Sequence, residues 1–303
     1  MSFAPIILFT YKRVAPLKAT IAALQQNFLA PDSLLYIFSD GPRNESDKML
    51  VDEVRDYLQG VSGFKSVTIR EAAENKGLAR SIIEGTSELI QQFGKVIVLE
   101  DDLLTTPNFL DFMNNALNVY ADHPQVFSIS GYSFHLKPKS SGNPPEAYFL
   151  NRGWSWGWAT WADRWVNVDW QMKEYDQFKN DNQARKQFAK GGSDLNSMLD
   201  KQMTGQLDSW AIRWFFNQYK QNGLTLYPRL SKIYNNGFDQ FATHTNGSSS
   251  RYIPSLDTQH LTNFILPGLP VLNNHYQKQF QRKMGIASRI KSKIETLFIR
   301  YFK

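Results

Sequence analysis

The chain has 303 residues, 42% of them hydrophobic, with a net charge of +6 and no cysteine. That length and apolar content suffice for one large domain, or two closely packed ones, around a substantial core, which argues against disorder outside loops. The missing thiols exclude disulfides, thiolate zinc and a cysteine nucleophile, restrict any metal to oxygen or imidazole ligands, and suit a reducing compartment.

The chain opens with Phe3-Ala4-Pro5 running into Ile6-Ile7-Leu8-Phe9, with no basic region before the apolar residues and no small-residue cleavage site after them. This predicts a first strand and not a secretion signal. No apolar run approaches the roughly 20 residues of a spanning helix, so a soluble or peripheral protein is expected. Short apolar runs at 5–11, 34–39, 66–70 and 95–99 alternate with helix-period segments at 15–26, 46–59, 78–93 and 107–121. Each run is short enough to be a strand buried on both faces, which predicts an α/β fold with a mostly parallel sheet flanked by helices. Thr106-Pro107 predicts a helix start with a threonine cap and proline in the first position, and Asn44 heads another helix. No repeat period is visible, which excludes solenoids.

Residues 137–145 turn to Pro, Lys, Ser, Gly and Asn and read as a loop. Residues 151–170 then hold six of the eight tryptophans, and residues 235–253, rich in Asn, Gly, Ser and His, read as irregular. These later segments are expected to fold over the ligand edge of the sheet as an acceptor-side lobe. The expected organisation is a nucleotide-binding half (1–136), an acceptor-side half of the same domain (137–277) and a basic tail (278–303). From Lys278 on there are eight bases against one acid, a surplus of seven that leaves the rest of the chain at minus one. A nearly neutral body without a basic stripe argues against nucleic acid as the partner. The tail has helical periodicity, with Ile286, Ile290, Ile294, Leu297, Phe298 and Tyr301 on one side. It suits either a helix lying on an anionic membrane surface or one packed on protein.

In an open parallel sheet, ligands bind beyond the carboxyl ends of the strands. Glu100-Asp101-Asp102 stands at that end of Val96-Ile97-Val98-Leu99, the most apolar run. Three adjacent carboxylates repel one another unless a cation or basic groups neutralise them. Hard oxygen ligands favour Mn2+ or Mg2+, which bind one or two carboxylates together with phosphate oxygens and water. The bland alternative is a solvated acidic turn. Tyr11-Lys12-Arg13 stands at the same end of the first run, where a cation can face a phosphate. Ser39-Asp40-Gly41 follows the second run, where a carboxylate can accept from a base N–H, although Asp40-Gly41-Pro42 is also ordinary turn composition. Glu74-Asn75-Lys76-Gly77-Leu78-Ala79-Arg80 opens a helix after the third run. Lys76, Arg80 and the helix N-terminus can therefore face an anion, or the two cations can pair with acids along the surface.

Phe9-Thr10-Tyr11-Lys12-Arg13, Phe38-Ser39-Asp40-Gly41, Asn75-Lys76-Gly77 and Val98-Leu99-Glu100-Asp101-Asp102-Leu103, followed by Pro107-Asn108-Phe109, resemble the GT-A glycosyltransferases. The likeness is to the animal Golgi N-acetylglucosaminyltransferase that starts the first antenna of N-glycans and to bacterial family 2-like transferases. It is close over residues 5–134 and patchier beyond. It implies a GT-A (Rossmann-like) fold and metal-dependent inverting transfer from a UDP-sugar to a glycan or lipid-linked acceptor. The setting implied is cell-surface polysaccharide synthesis on the cytoplasmic side, where a tail lying on the inner face of the membrane would fit a lipid-carried acceptor such as the bacterial members often use. The resemblance puts Arg13 near the nucleotide or diphosphate, Asp40 on the uracil N3–H and Asp101 on the donor's ribose or sugar. Asp102 becomes the metal ligand, with Glu100 in the same motif.

Leu207-Asp208-Ser209-Trp210 resembles the segment carrying the family's general base, which makes Asp208 the candidate, although Ser209 replaces a second acidic residue there. Asp208 is equally suited to cap the helix that follows it. Gly157-Trp158 resembles the acceptor-side motif of the bacterial members. Trp158 is accordingly the candidate sugar platform, against core packing as the ordinary role of a tryptophan. His244 can complete the metal shell, as a late histidine does in some GT-A enzymes, or be a loop residue. A nucleotidyltransferase on a similar sheet is the enzymatic alternative, but Thr10-Tyr11-Lys12-Arg13-Val14-Ala15-Pro16 lacks the glycine-rich loop it needs. A non-catalytic glycan-binding or scaffold protein is the alternative from another class.

Overall fold

The structure is a computed structural model that describes residues 2–138, 145–237 and 249–301. In chain order the strands are β1 (Ile6–Thr10), β2 (Leu34–Ser39), β3 (Ser66–Glu71), β4 (Lys95–Glu100), β5 (Leu103–Thr105), β6 (Val126–Ser130), β7 (Ala147–Leu150), β8 (Trp158–Trp161), β9 (Leu224–Pro228) and β10 (Ile233–Asn235). Eight of them form one sheet in the order β3-β2-β1-β4-β8-β6-β9-β7. The first four are parallel, with Leu8 of β1 beside Ile37 of β2 and Leu99 of β4. β8 runs antiparallel between β4 and β6, β9 runs parallel to β6, and β7 closes the edge antiparallel to β9. The result is a mostly parallel α/β sheet in which only β7 and β8 run against the rest.

Alternation along the central strands feeds two cores, because helices cover both faces of the sheet. Ile6, Leu8, Ile97 and Leu99 enter one core and Ile7, Phe9, Val96 and Val98 the other. The helices are α1 (Val14–Gln25), α2 (Glu45–Leu58), α3 (Leu78–Phe93), α4 (Phe109–Val119), α5 (Ala162–Trp165), α6 (Tyr175–Asn180), α7 (Asn182–Phe188), α8 (Leu195–Met203), α9 (Trp210–Lys220), α10 (Asn274–Lys283) and α11 (Ile286–Tyr301). α1, α2, α4 and α10 bury side chains in the first core. α3 and the α5–α9 series bury theirs in the second. The short strands β5 and β10 pair antiparallel in a separate two-stranded sheet just past the end of β4.

The strands and helices expected up to residue 121 all form, with ends shifted by no more than two residues. One start needs correction. α4 begins at Phe109, with Asn108 at the cap position but no side-chain cap, and not at Pro107. The Thr106 carbonyl accepts from Phe109 N and Thr106 Oγ1 donates to Asn108 Oδ1, while the Pro107 carbonyl is used by Phe28 N on another segment. The cap at Asn44 forms as expected, with Asp47 N donating to Asn44 Oδ1 at 3.0 Å. The tryptophan-rich segment supplies β8 in the middle of the sheet.

Candidate active site

From β1 the chain steps outward to β2 and β3, then returns to β4 on the other side of β1. A crevice therefore lies beyond the carboxyl ends of β1 and β4, the position where open α/β sheets take their ligands. Opposite charges arrive there on the two strands. β1 runs out into Thr10-Tyr11-Lys12-Arg13, and β4 ends at Glu100 and continues as Asp101-Asp102.

Arg13 Nη2 donates to Asp101 Oδ1 at 2.7 Å and to Asp102 Oδ2 at 2.8 Å. Asp101 Oδ2 accepts from Thr10 Oγ1 at 3.1 Å, and the Asp101 carbonyl accepts from Thr20 Oγ1 of α1. Asp101 thus ties β1, α1 and the end of β4 together. Burial works against the Arg13 charge, but Asp101 and Asp102 more than offset it, so its pKa lies above the usual value. Burial also holds the Asp101 carboxyl above its ordinary range, although Arg13 pulls it down. Repulsion among the three acids does not by itself require a metal, because Arg13 is an internal counter-ion.

What the cluster lacks is as informative. Among the described residues, Arg13 Nη1 is buried without a hydrogen-bond partner. Burial, then Asp102 and Asp101, push the Glu100 carboxyl up to about 8 against the pull of Arg13, and none of the described residues donates a hydrogen bond to it. The segment after β10 closes over Asp102: Asn236 N donates to the Asp102 carbonyl at 2.8 Å. A Cβ on Gly237 would sit 2.0 Å from Asp102 Oδ2, so any larger residue there has to push the Asp102 carboxylate aside. Sequence reasoning missed this contact, whose one signal was the glycine in Asn235-Asn236-Gly237.

The carboxylates of Glu100 and Asp102 fit a hard divalent ion, which takes one or two carboxylates and fills its shell with phosphate and water. Among the described residues no three His, Asp or Glu side chains converge on one point, so such an ion would need ligand oxygens to complete its shell. His244 lies outside the described residues.

The remaining candidates are placed differently from expectation. Asp40 Oδ1 accepts from Gly41 N and Lys76 N, and Oδ2 from Gly77 N and Asn75 Nδ2, all within 3.0 Å. Those four donors fill a carboxylate's acceptor positions, so Asp40 clamps the loop ahead of α3 instead of offering itself to a base edge. Lys76 Nζ and Arg80 Nε do not reach toward Arg13. Both close on Glu84, at 2.7 and 2.6 Å.

Asp208 does not cap α9; Ser209 does, its Oγ accepting from Ile212 N at 3.3 Å. Asp208 is left 71% exposed, with Arg213 Nη2 at 3.3 Å. α9 ends near Leu224, which opens β9 and donates to the Gln125 carbonyl at the start of β6. The 11 residues of α9 span about 16 Å. The helix therefore carries Asp208 back toward the edge where β6 and β4 end.

Trp158 is also corrected. It is 1% exposed, stacked on Trp210 at 4.9 Å and Trp165 at 5.5 Å in the second core. Its position on a central strand leaves no open face, because β8 is covered on both sides. Gly157, at φ +60°, turns the chain just before it. Trp154 and Trp156 consequently belong to the other core, where Trp156 meets Tyr132 at 4.7 Å and Tyr252 at 5.5 Å. Trp156 is only partly buried, and it leads into β8 at the end beside Val98.

No family model and no curated protein matches the chain. Solved structures similar to it include the mannosyltransferase PcManGT from Pyrobaculum calidifontis, in complex with GDP-Man and Mn2+, at 16% identity and a TM-score of 0.31, covering 43% of this chain and 35% of that one. Residues 1–349 of S. aureus TarS align at 10% identity with a TM-score of 0.42, over 78% of this chain and 61% of that one. The chain spans less than two thirds of the length of either.

Proposed function

We propose that the protein is an inverting glycosyltransferase that moves a sugar from a UDP-sugar to a hydroxyl of a glycan or lipid-linked acceptor, with Mn2+ or Mg2+ as cofactor. One observation carries this reading. In the crevice between β1 and β4, a buried guanidinium N–H finds no acceptor among the described residues, beside a carboxyl group to which none of them donates a hydrogen bond. A cation-bound diphosphate offers the two missing halves together: an anionic oxygen for Arg13 and positive charge for Glu100 and Asp102.

In this reading residues 1–136 bind the nucleotide sugar and residues 137–277 build the acceptor side of the same domain. Asp102, with Glu100, would hold the ion, which when bound would stabilise the growing charge of the departing diphosphate as a Lewis acid. Arg13 binds a diphosphate oxygen while keeping Asp101 and Asp102 in position. Asp101 orients the donor's ribose or sugar. Asp40 contributes indirectly, by shaping the loop at residues 75–77 into one wall. Asp208 takes the proton from the acceptor hydroxyl as it attacks the anomeric carbon, for which an exposed carboxylate at the crevice edge is suited. Trp156 takes over from Trp158 as the aromatic face for the acceptor. The choice of UDP, of N-acetylglucosamine as the sugar and of a cell-surface polysaccharide as the product rests on the motif resemblance.

Titration calorimetry with UDP in the presence and absence of Mn2+, run beside a turnover assay over a panel of UDP-sugars, tests the reading. Asp102→Ala is expected to lose metal-dependent UDP binding and transfer together, and Asp208→Asn to bind UDP normally and lose transfer. Unchanged metal-dependent binding by Asp102→Ala would remove the basis for the site.

A further inference from the structure

α11 follows α10 after a break at Met284-Gly285, and it is oriented the opposite way from an ordinary surface helix. An amphipathic helix normally buries its apolar stripe and shows its polar side to water. Here the half-buried positions are polar, at Ser288, Arg289, Ser292 and Glu295. Arg289 Nη1 donates to Ser193 Oγ of the body, and the helix rests on the turn formed by Ser249–Tyr252. The isoleucines at four-residue spacing point away: Ile286 is 66% exposed, Ile290 53% and Ile294 48%. Ile253, next to that turn, is exposed as well.

Charge says what covers this stripe. Lys291 and Lys293 are exposed on the same helix. On α10, His275, Lys278 and Arg282 line a groove of about 490 Å³ together with Lys137, and among the described residues no acid lines it. Residues 278–303 carry eight bases and a single acid. A second copy of the chain packed stripe to stripe would bring two such tails together, cation against cation. An anionic lipid surface presents the opposite charge and accepts isoleucine side chains at the depth of its headgroup boundary.

We propose that α11 lies in the plane of an anionic membrane, its isoleucine stripe inserted and its lysines on the headgroups, and that α10 contributes the basic groove as a headgroup phosphate contact. This goes beyond the transferase reading and stands without it.

Flotation of the full chain with phosphatidylcholine vesicles, with and without phosphatidylglycerol, tests it. The protein is expected to float with the anionic vesicles only, and less so as salt is raised. Ile290→Glu removes an exposed side chain and should leave the melting temperature unchanged. It should lower the partition coefficient by more than about tenfold. Lys291→Glu and Lys293→Glu should each lower it by at least roughly fivefold. Because the chain has no cysteine, Ile290→Cys labelled with a polarity-sensitive dye reports the stripe directly, and a blue shift with anionic vesicles is expected. Equal flotation of Ile290→Glu, unchanged dye emission, or a dimeric mass in solution that Ile290→Glu converts to a monomer would each overturn the proposal, the last in favour of a second copy.

Discussion

Behind the crevice, Lys232 and Asp257 form a buried ion pair, with side chains 6% and 7% exposed. Asp257 also accepts from Asn108 Nδ2 at 2.9 Å, and from the backbone N–H groups of Gln259 and His260. Burial alone would raise its pKa, but Lys232 and Asn108 overcome that and bring it from 3.8 to about 2. Burial also pulls the Lys232 ammonium down, with Asp257 opposing. Asp257 is the more firmly charged partner, because three further donors besides Lys232 hold its carboxylate.

The gap between 3.8 and about 2 corresponds to roughly 2 kcal/mol of stability. Because the folded pKa is depressed, that stability is fully present above the ordinary carboxylate pKa and is lost as pH falls toward 2. Asp257→Asn also leaves the Lys232 charge buried and unpaired, which brings the expected loss at about pH 7 to roughly 3–5 kcal/mol. Urea unfolding of wild type and variant at about pH 7 and again at about pH 3 measures it, and the difference should shrink at the lower pH. Adding Lys232→Met should recover most of the loss, because the Lys232 ammonium lies over the rings of Phe112 and Phe264, where an apolar end fits. An unchanged urea midpoint, or an identical loss at both pH values, would refute the reasoning.

Gly237→Ala should displace Asp102, because the added Cβ would lie 2.0 Å from Oδ2. We expect weaker metal-dependent UDP binding with a stability loss of about 1–3 kcal/mol, read by calorimetry and thermal melting; unaltered binding would mean that Asp102 tolerates the shift. Trp158→Ala should cost about 3–5 kcal/mol in urea unfolding, because it empties a core site. Trp156→Ala should instead raise the acceptor KM with little change in stability, and the reverse pattern would return the acceptor role to Trp158.

Much of the scaffold was legible because its causes are local. Ile6-Ile7-Leu8-Phe9 and Val96-Ile97-Val98-Leu99 are too short and too uniformly apolar for anything but strands covered on both faces, and Asn44 marks a helix boundary where it stands. Which residues stand at the carboxyl ends of the strands follows from the same reading, so Arg13, Asp40 and Glu100-Asp101-Asp102 could be named as an edge cluster. Their partners could not. Asp40 is spent on amides from residues 75–77 and Arg13 on acids about 90 positions away. Neither pairing has a signal in local sequence.

The sequence by itself therefore determined the alternation of strands and helices, the burial of β1 and β4 on both faces and the concentration of charge in the tail, since each depends on neighbours within a turn or a pleat; the edge strand β3, expected to be buried like them, holds no buried residue. Tertiary structure alone decided that β8 enters the sheet between β4 and β6 and buries Trp158, that Gly237 closes over Asp102, and that α11 turns its isoleucines outward. Those outcomes depend on which distant surfaces meet, and a periodic pattern specifies an apolar face without specifying what will cover it.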